Sequence, residues 1–340
     1  MKACGQPARA GLAGRMLRPK RLRRKRSALH AVRWPFLAYA AGIVALSYSR
    51  RRLRLPRPAM VPVVSTVPLA VAAALPRGRY QYAGTWIAYV WLFKVAWEIP
   101  YDKPEKLERR LRIDYPIRID SLLGAGTPPG LRLHRAFREP PRLSALDFGM
   151  TALHYLLWAA PHAALGWTLA YDEERFPRTA GRLAAVYHLT TLGYWCVPTA
   201  PPWWASEHEG RMDGGLQHIT HDVGLAVKEK LGGEKPASRR ERRAGDRDQG
   251  NPWGSMPSDA LPAAAITARS LGEVSRLAGT LGWTLTAAYG VVLVYLGEHY
   301  VTDLVAGLVL VELVWRGEPL LLPLVRLGTT SLRTLERAVS

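Results

Sequence analysis

Long apolar stretches alternate with polar, arginine-rich segments along most of the chain. The apolar stretches are Trp34–Ser49, Met60–Leu75, Tyr82–Ile99, Leu146–Tyr171, Leu183–Trp204, Ala260–Leu271, Leu277–Tyr295 and Tyr300–Trp315. They lack strand-like alternation, and the longest reach the roughly 20 residues that a helix needs to cross a bilayer. A soluble helical protein rarely has five or more helices that are apolar on every side. The pattern therefore predicts an all-α protein, a polytopic membrane helix bundle whose helices satisfy their own backbone hydrogen bonds in lipid.

The same pattern divides the chain into four parts. We predict a basic arm over 1–33, membrane or interfacial helices over 34–81, a six-helix core over 82–316 and a C-terminal tail over 317–340. The core contains two long polar segments, 102–145 and 205–257. Within the second, residues 234–250 read EKPASRRERRAGDRDQG, a composition typical of disorder.

Charge is concentrated at the N-terminus. The formal net charge is +20, and residues 1–58 contain 16 Lys or Arg and no acidic residue. Such an arm can bind nucleic acid, but the positive-inside rule gives a better account of it, so we predict a cytoplasmic N-terminus, contact with the bilayer and no nucleic-acid partner. Oligomeric state is not indicated by the sequence.

Arginines between the later apolar stretches predict the orientation. Arg175, Arg178, Arg182 and Arg276 should lie in the cytoplasm with the tail, which places 203–258 and 297–299 together on the extracytoplasmic side of the cell membrane. The arginine cluster at 50–54 conflicts with this scheme if both of the first two apolar stretches cross. One of these two apolar stretches can instead lie along the membrane surface.

His299 and Asp303 are the first candidates for chemistry. They are four residues apart, so on a helix they share one face. A carboxylate that accepts a hydrogen bond from one imidazole nitrogen fixes the tautomer and makes the other nitrogen a better nucleophile or base. The alternative is a capped helix start with an incidental histidine.

Two further segments contain helix-boundary signals. Pro257, Ser258 and Asp259 suit the start of a helix, where free N–H groups attract phosphate, although an ordinary capped helix gives the same pattern. The prolines of Val197-Pro-Thr-Ala-Pro-Pro-Trp-Trp204 should end a helix. The tryptophan pair then marks either a membrane boundary or the mouth of a substrate site.

Together these segments resemble the phosphatidic acid phosphatase type 2 superfamily over residues 82–316. The branch that they resemble most contains the inositol phosphorylceramide synthases and their bacterial relatives. That family has a Pro-Ser-x-His motif and a His-x-x-x-Asp motif at two helix starts on one side of the membrane. Here residues 257–260 correspond to the first motif, His299 and Asp303 to the second, and Pro201-Pro202 to a double-proline element of the synthase-like branch.

The resemblance implies a mechanism. His299 would attack phosphorus and form a phosphohistidine, with Asp303 orienting it. Phosphate oxygens would be held by the hydroxyl of Ser258 and by backbone N–H groups of the turn that begins at Pro257. No metal or cofactor is implied.

Other candidate residues follow from what the site still needs. The broader family has an arginine where this chain has Leu293, and the synthase-like branch also lacks that arginine. Another cation must therefore neutralise the phosphoryl group. Lys228 and Lys230 are the candidates. His154 and Pro202 are candidate substrate contacts.

Ala260 occupies the position of the family's acid histidine. Alanine cannot transfer a proton, and general acid catalysis typically contributes about 10²–10⁴-fold, so the chain should be impaired in expelling a poor leaving group. A deliberate His-to-Ala change, a natural inactive enzyme and a relayed acid such as Asp259, His218 or His221 all remain open.

The function implied is a membrane phospholipid phosphotransferase that moves a phosphoryl-linked headgroup and is disabled here by Ala260. Its substrate would be a phospholipid or a polyprenyl phosphate. The alternatives are a lipid phosphatase, which would use the same phosphohistidine with water as acceptor, and a non-enzymatic membrane protein that binds phospholipid in the same pocket.

Overall fold

The structure is a computed structural model that describes residues 19–53, 55, 57–138, 142–233 and 251–339, with the side chains of 19–32, 57–58 and 321–339 left undescribed. Within these ranges every regular element is a helix and no β-strand is present. The all-α prediction is confirmed for that part of the chain. The predicted disorder of 234–250 and the first half of the basic arm lie outside the described residues.

The chain divides into two compact units, residues 1–88 and 89–340. The first contains α1 (Pro19–Ser49), α2 (Arg57–Ala74) and the first half of α3 (Arg79–Glu98). Because α1 begins at Pro19, the second half of the predicted arm is helical. The hydroxyls of Tyr39 and Thr66 lie 2.8 Å apart and join α1 to α2.

The second unit contains the remaining helices. A short 3₁₀ turn, Ile99–Asp102, follows α3, and another, Arg211–Gly214, precedes α10. The α-helices are α4 (Pro104–Glu108), α5 (Asp114–Leu123), α6 (Pro129–Phe137), α7 (Ala145–Tyr171), α8 (Phe176–Cys196), α9 (Pro202–Glu207), α10 (Ile219–Lys230), α11 (Ala260–Gly272), α12 (Arg276–Tyr295) and α13 (Val301–Val339).

The predicted helix over 183–204 is displaced by about two turns from α8. Helix α8 begins earlier than predicted because the arginines that the sequence pattern places in a loop lie on the helix and form ion pairs. Arg182 is 2.8 Å from Glu273 and 2.7 Å from Glu318. Helix α8 also ends earlier than predicted, because Pro198 follows it and proline cannot continue the backbone hydrogen bonding. Likewise α13 continues to Val339 instead of ending near the predicted boundary at 316.

Helices α11 and α12 form a close hairpin. An ideal Cβ on Gly279 would lie 2.7 Å from the Cα of Gly272, so only glycine allows the two backbones to approach this closely. At the other end of this hairpin, Leu261, Tyr289 and Leu293 are buried in one apolar cluster with Leu304 of α13. The cluster fixes the start of α11 against the start of α13.

One helix of the described residues, α12, is long and apolar enough to cross a membrane, with a mean hydropathy of 1.5, and a shorter apolar helix spans Ala59–Ala74. Large apolar side chains are also exposed on α7 and α13, among them Leu156, Trp167 and Val309. Exposed apolar faces suit contact with lipid, so this part of the structure gives weak support to the predicted polytopic arrangement.

Candidate active site

Three extended segments position the first motif. Thr199 pairs in parallel with Arg112 on one side and with Gly254 on the other. The N–H of Thr199 donates to the carbonyl of Trp253 at 3.1 Å, and the N–H of Ser255 donates to the carbonyl of Thr199 at 3.3 Å. The proline-rich segment that ends α8 therefore holds residues 253–255 in place directly before α11.

The two motifs meet through backbone hydrogen bonds. The N–H of Ser258 donates to the carbonyl of Asp303 at 3.1 Å. Nδ1 of His299 donates to the carbonyl of Ser255 at 3.0 Å. Segments 44 and 45 residues apart in sequence are thus in direct contact, and the imidazole is directed at Ser255, two residues before the first motif.

Asp303 supports this imidazole from behind. Its side chain is fully buried, and Oδ2 lies 3.4 Å from Nδ1 of His299. The same oxygen accepts hydrogen bonds from the hydroxyl of Ser255 at 2.5 Å and from the N–H of Tyr300 at 2.9 Å. Because the carbonyl and the carboxylate both require a proton on Nδ1, the lone pair of the neutral ring is on Nε2.

The electrostatics of His299 result from opposed effects. Burial lowers its pKa, but the hydrogen bond and negative charge of Asp303, with further contributions from Asp259 and Glu298, raise the pKa above the usual value. The carboxylates therefore stabilise positive charge on the ring, which is the charge that an N-phosphorylated imidazole carries.

A cavity of about 240 Å³ opens beside this imidazole. The ionisable side chains in its wall are His154, His218, Asp259, Glu298 and His299, accompanied by Trp97, Trp158 and Trp203. Among the described residues the wall includes no lysine or arginine. Nor do the described ranges hold a group of three or more His, Cys, Asp or Glu arranged to bind a metal ion. We call this space the site cavity.

The residues predicted from the first motif differ in their access to the site cavity. Ala260 lies in its wall as the first residue of α11. Ser258 is fully buried outside the wall, where its hydroxyl oxygen accepts a hydrogen bond from the N–H of Leu261 at 3.3 Å. Pro257 is also outside the wall. A phosphate contact by either residue stays a prediction.

The remaining predicted residues are also divided. His154 lies in the cavity wall, with Nδ1 3.5 Å from the hydroxyl of Tyr289. Pro202 is buried next to Pro201, which lines the cavity. Lys228 and Lys230 are exposed on the last turn of α10 and do not line it. The structure therefore does not bring the two lysines to the candidate nucleophile.

Two carboxylates important for the geometry, Asp120 and Glu298, are not signalled by any motif. The carboxylate of Asp120 accepts hydrogen bonds from the N–H groups of Val301 and Thr302, both at 2.9 Å, and so anchors the start of α13. Glu298 accepts a hydrogen bond from the hydroxyl of Thr220 at 2.6 Å. The ring of Trp203 stacks on His218 at 3.7 Å. A carboxylate 181 positions before the helix that it caps leaves no local signal.

Comparison with known families identifies the chain. Residues 117–316, more than half of its length, match the PAP2 superfamily. The chain belongs to the PAP2 superfamily. Comparisons with curated proteins and with solved structures gave no match.

Membership places the two motifs in a chemical context. PAP2 superfamily proteins are phosphoester hydrolases or transferases and are typically membrane proteins that act on phospholipid-type substrates. The matched region begins within α5 and ends within α13, so it includes both motifs and every residue of the site-cavity wall except Trp97 of α3. The resemblance predicted from sequence began at residue 82, which is 35 residues earlier.

Proposed function

We propose that this PAP2 protein is an integral membrane phospholipid phosphotransferase, related to the inositol phosphorylceramide synthase-like branch. It transfers a phosphoryl-linked headgroup through a phosphohistidine on His299. The observation that carries the proposal is the fixed tautomer of His299, whose Nδ1 is held by Ser255 and Asp303. Nε2 is then the nucleophilic nitrogen at a cavity that also contains the start of α11.

An apolar groove beside the site cavity supports a lipid substrate. It has a volume of about 310 Å³ and lies between α7, α11 and α12, where small side chains such as Ala160, Ala164 and Ala264 form its walls. Helices α7 and α11 line both spaces: His154 and Ala260 face the site cavity, while Leu157 and Ala264 face the groove. A hydrocarbon chain in this groove would present its phosphate towards His299.

The charge of the site cavity favours transfer from a phosphodiester over hydrolysis of a monoester. Asp259 and Glu298 lie in its wall, and no lysine or arginine of the described residues does. A phosphodiester has one negative charge and a monoester close to two, so the diester is repelled less by a negative charge on Glu298. This argument supports phosphotransferase over lipid phosphatase as the activity.

The two ends of α11 support the proposed orientation. The site is at Ala260, and the other end, about 18 Å away along the helix axis, has Glu273 paired with Arg182. Arg178 pairs with Glu318 in the same cluster at 2.5 Å. We assign the arginine-rich end to the cytoplasm and the site to the extracytoplasmic side by the positive-inside rule.

A product assay tests the proposal. The full chain is reconstituted in vesicles with phospholipids labelled in the headgroup, and a lipid alcohol is supplied as acceptor. A new labelled lipid indicates transfer, whereas free labelled headgroup phosphate indicates a phosphatase. His299→Ala should abolish both turnover and any acid-labile phosphoprotein. Turnover that persists in this variant rules out His299 as the nucleophile.

Ala260 favours a second candidate, a phospholipid-binding protein without turnover. If Ala260→His produces no turnover on any phospholipid while lipid binding persists, the binding function is supported instead. We expect the opposite, that restoring the histidine raises diacylglycerol release by about tenfold or more, because general acid catalysis is worth about 10²–10⁴-fold.

A further inference from the structure

We propose that Asp259 donates the proton to the leaving oxygen when His299 attacks phosphorus, in place of the histidine that is missing at position 260. The proposal rests on the phosphotransferase function argued above. On this proposal the chain is a slow enzyme whose general acid is a carboxyl group, and not an enzyme without any proton donor.

The position of Asp259 supports this role. It directly precedes Ala260 and lines the site cavity together with His299. Although it occupies the residue before the first helical position of α11, its side chain forms no capping hydrogen bond. Among the described residues it forms no ion pair with lysine or arginine. The carboxyl therefore lies in the cavity wall without a neutralising cation from the described residues.

The groups around Asp259 come from several elements. His154 of α7 and His299 face it from two sides, Tyr194 of α8 lies close to it, and Glu298 lies in the same wall. Burial raises the pKa of the Asp259 carboxyl, and the two imidazoles and the backbone N–H groups of Asp259 and Ala260 oppose this effect without cancelling it. A larger fraction is thus protonated near neutral pH than for an exposed aspartate, as a general acid requires.

Besides His299, the cavity wall contains two histidines, and each of them contacts a different side chain. His218 stacks on Trp203, and its Nε2 lies 3.7 Å from Oε1 of Glu298. Nδ1 of His154 is directed at the hydroxyl of Tyr289 on α12. Asp259 is the ionisable group of the cavity that adjoins the vacant acid position in the chain.

The reaction balances with these groups alone. Nε2 of His299 forms a bond to phosphorus as the bond from phosphorus to the diacylglycerol oxygen breaks. The electron pair goes to that oxygen, which takes the proton of Asp259 and leaves as a neutral alcohol. In the second step the incoming hydroxyl gives its proton to the Asp259 carboxylate and attacks phosphorus, and His299 leaves as the neutral ring.

Leaving-group dependence distinguishes an acid from a structural residue. The full chain in vesicles is assayed for diacylglycerol release from phosphatidylinositol, phosphatidylglycerol and phosphatidate, whose leaving oxygen needs a proton. In parallel it is assayed with bis(p-nitrophenyl) phosphate, whose leaving anion is stable without one. Asp259→Asn should lower diacylglycerol release by about 10²-fold and change p-nitrophenol release less than threefold.

Two further variants make the test specific. Glu298→Gln, the other carboxyl of the cavity, should affect both substrate types equally. Asp259→Asn combined with Ala260→His should recover diacylglycerol release, because an imidazole then returns to the acid position. The fall of kcat/KM at high pH, where the acid loses its proton, should disappear in Asp259→Asn.

The outcomes separate this proposal from the function on which it rests. If Asp259→Asn affects both substrate types equally or neither, or if the unmodified chain cleaves only the activated diester, Asp259 is not the acid although His299 can still be the nucleophile. If His299→Ala retains p-nitrophenol release, or if the unmodified chain cleaves none of the substrates, the proposed function itself is wrong.

Discussion

At the residue scale, the two residues of the His-x-x-x-Asp motif do not both lie within a helix, as they would in an ordinary pair four residues apart. His299 lies before α13, and Asp303 lies in its first turn, where Oδ2 also accepts the N–H of Tyr300. The spacing of four residues brings the ring and the carboxylate together, but at a helix start. The carboxylate therefore orients the imidazole of His299 and caps the helix with the same oxygen.

The pH dependence of the reaction should report this contact. His299 attacks only as the neutral ring, so kcat/KM rises as pH rises through its pKa, which lies above the usual histidine value. Asp303→Asn removes the charge that raises this pKa, and the rise in activity should move to lower pH while kcat falls. The measurement is a pH profile with bis(p-nitrophenyl) phosphate.

A matched control uses a carboxylate that has no contact with His299. Asp213→Asn on the exposed turn should leave the profile of the unmodified chain in place, since its partner is Arg135. An Asp303→Asn profile that coincides with that of the unmodified chain would show that Asp303 does not set the pKa of His299.

At the element scale, the small side chains of α7 and α11 form the space proposed for the lipid chain. Ala164→Phe should fill part of the apolar groove. If the ring displaces about two methylene groups of the lipid, at about 0.8 kcal/mol each, kcat/KM for long-chain phospholipids should fall about tenfold. Cleavage of bis(p-nitrophenyl) phosphate, which has no chain, should change less than twofold.

The neighbouring residue gives the control for this prediction. Ala163 is exposed on the same helix and does not line the groove, so Ala163→Phe should keep activity on both substrates. Equal loss in both variants would indicate damage to α7 and not obstruction of a lipid chain.

Sequence patterning predicted α7 and α12 to within about one residue, because their apolar runs end sharply at Ser144, Asp172 and Arg276. It misplaced α8 because ion pairs with distant carboxylates allow Arg178 and Arg182 to lie on a helix. The charge pattern of a short stretch of sequence cannot show that an arginine pairs with a carboxylate about 90 or 140 residues away.

At the scale of the whole molecule, a buried ion pair ties the polar segment after α6 to α7 and α12. Nε of Arg138 lies 3.1 Å from Oδ1 of Asp147, and each side chain is 1 % exposed. The hydroxyl of Tyr295, four residues before His299, donates to the same oxygen at 2.8 Å. The pair thereby fixes the end of α12 that leads to His299.

Removing one partner of this pair should destabilise the protein. Arg138→Met leaves the Asp147 carboxylate buried without its cation, which typically costs about 3–5 kcal/mol in free energy of unfolding. Thermal unfolding of the full chain in detergent measures the loss. Arg135→Met should cost less than about 1 kcal/mol, because its pair with Asp213 is exposed. Equal midpoints for the two variants would contradict a structural role for the buried pair.

The sequence by itself indicated the helical class, the positions of α2, α3, α7, α11 and α12, and the pairing of His299 with Asp303. These features depend on periodicity and spacing within a few residues, which the chain expresses locally. Only the tertiary structure decided that Ser255 holds the imidazole, that Asp120 anchors α13, and that Asp259 and Glu298 rather than Lys228 and Lys230 line the site cavity. Those contacts join segments tens to hundreds of residues apart, and helix packing alone sets which of them meet.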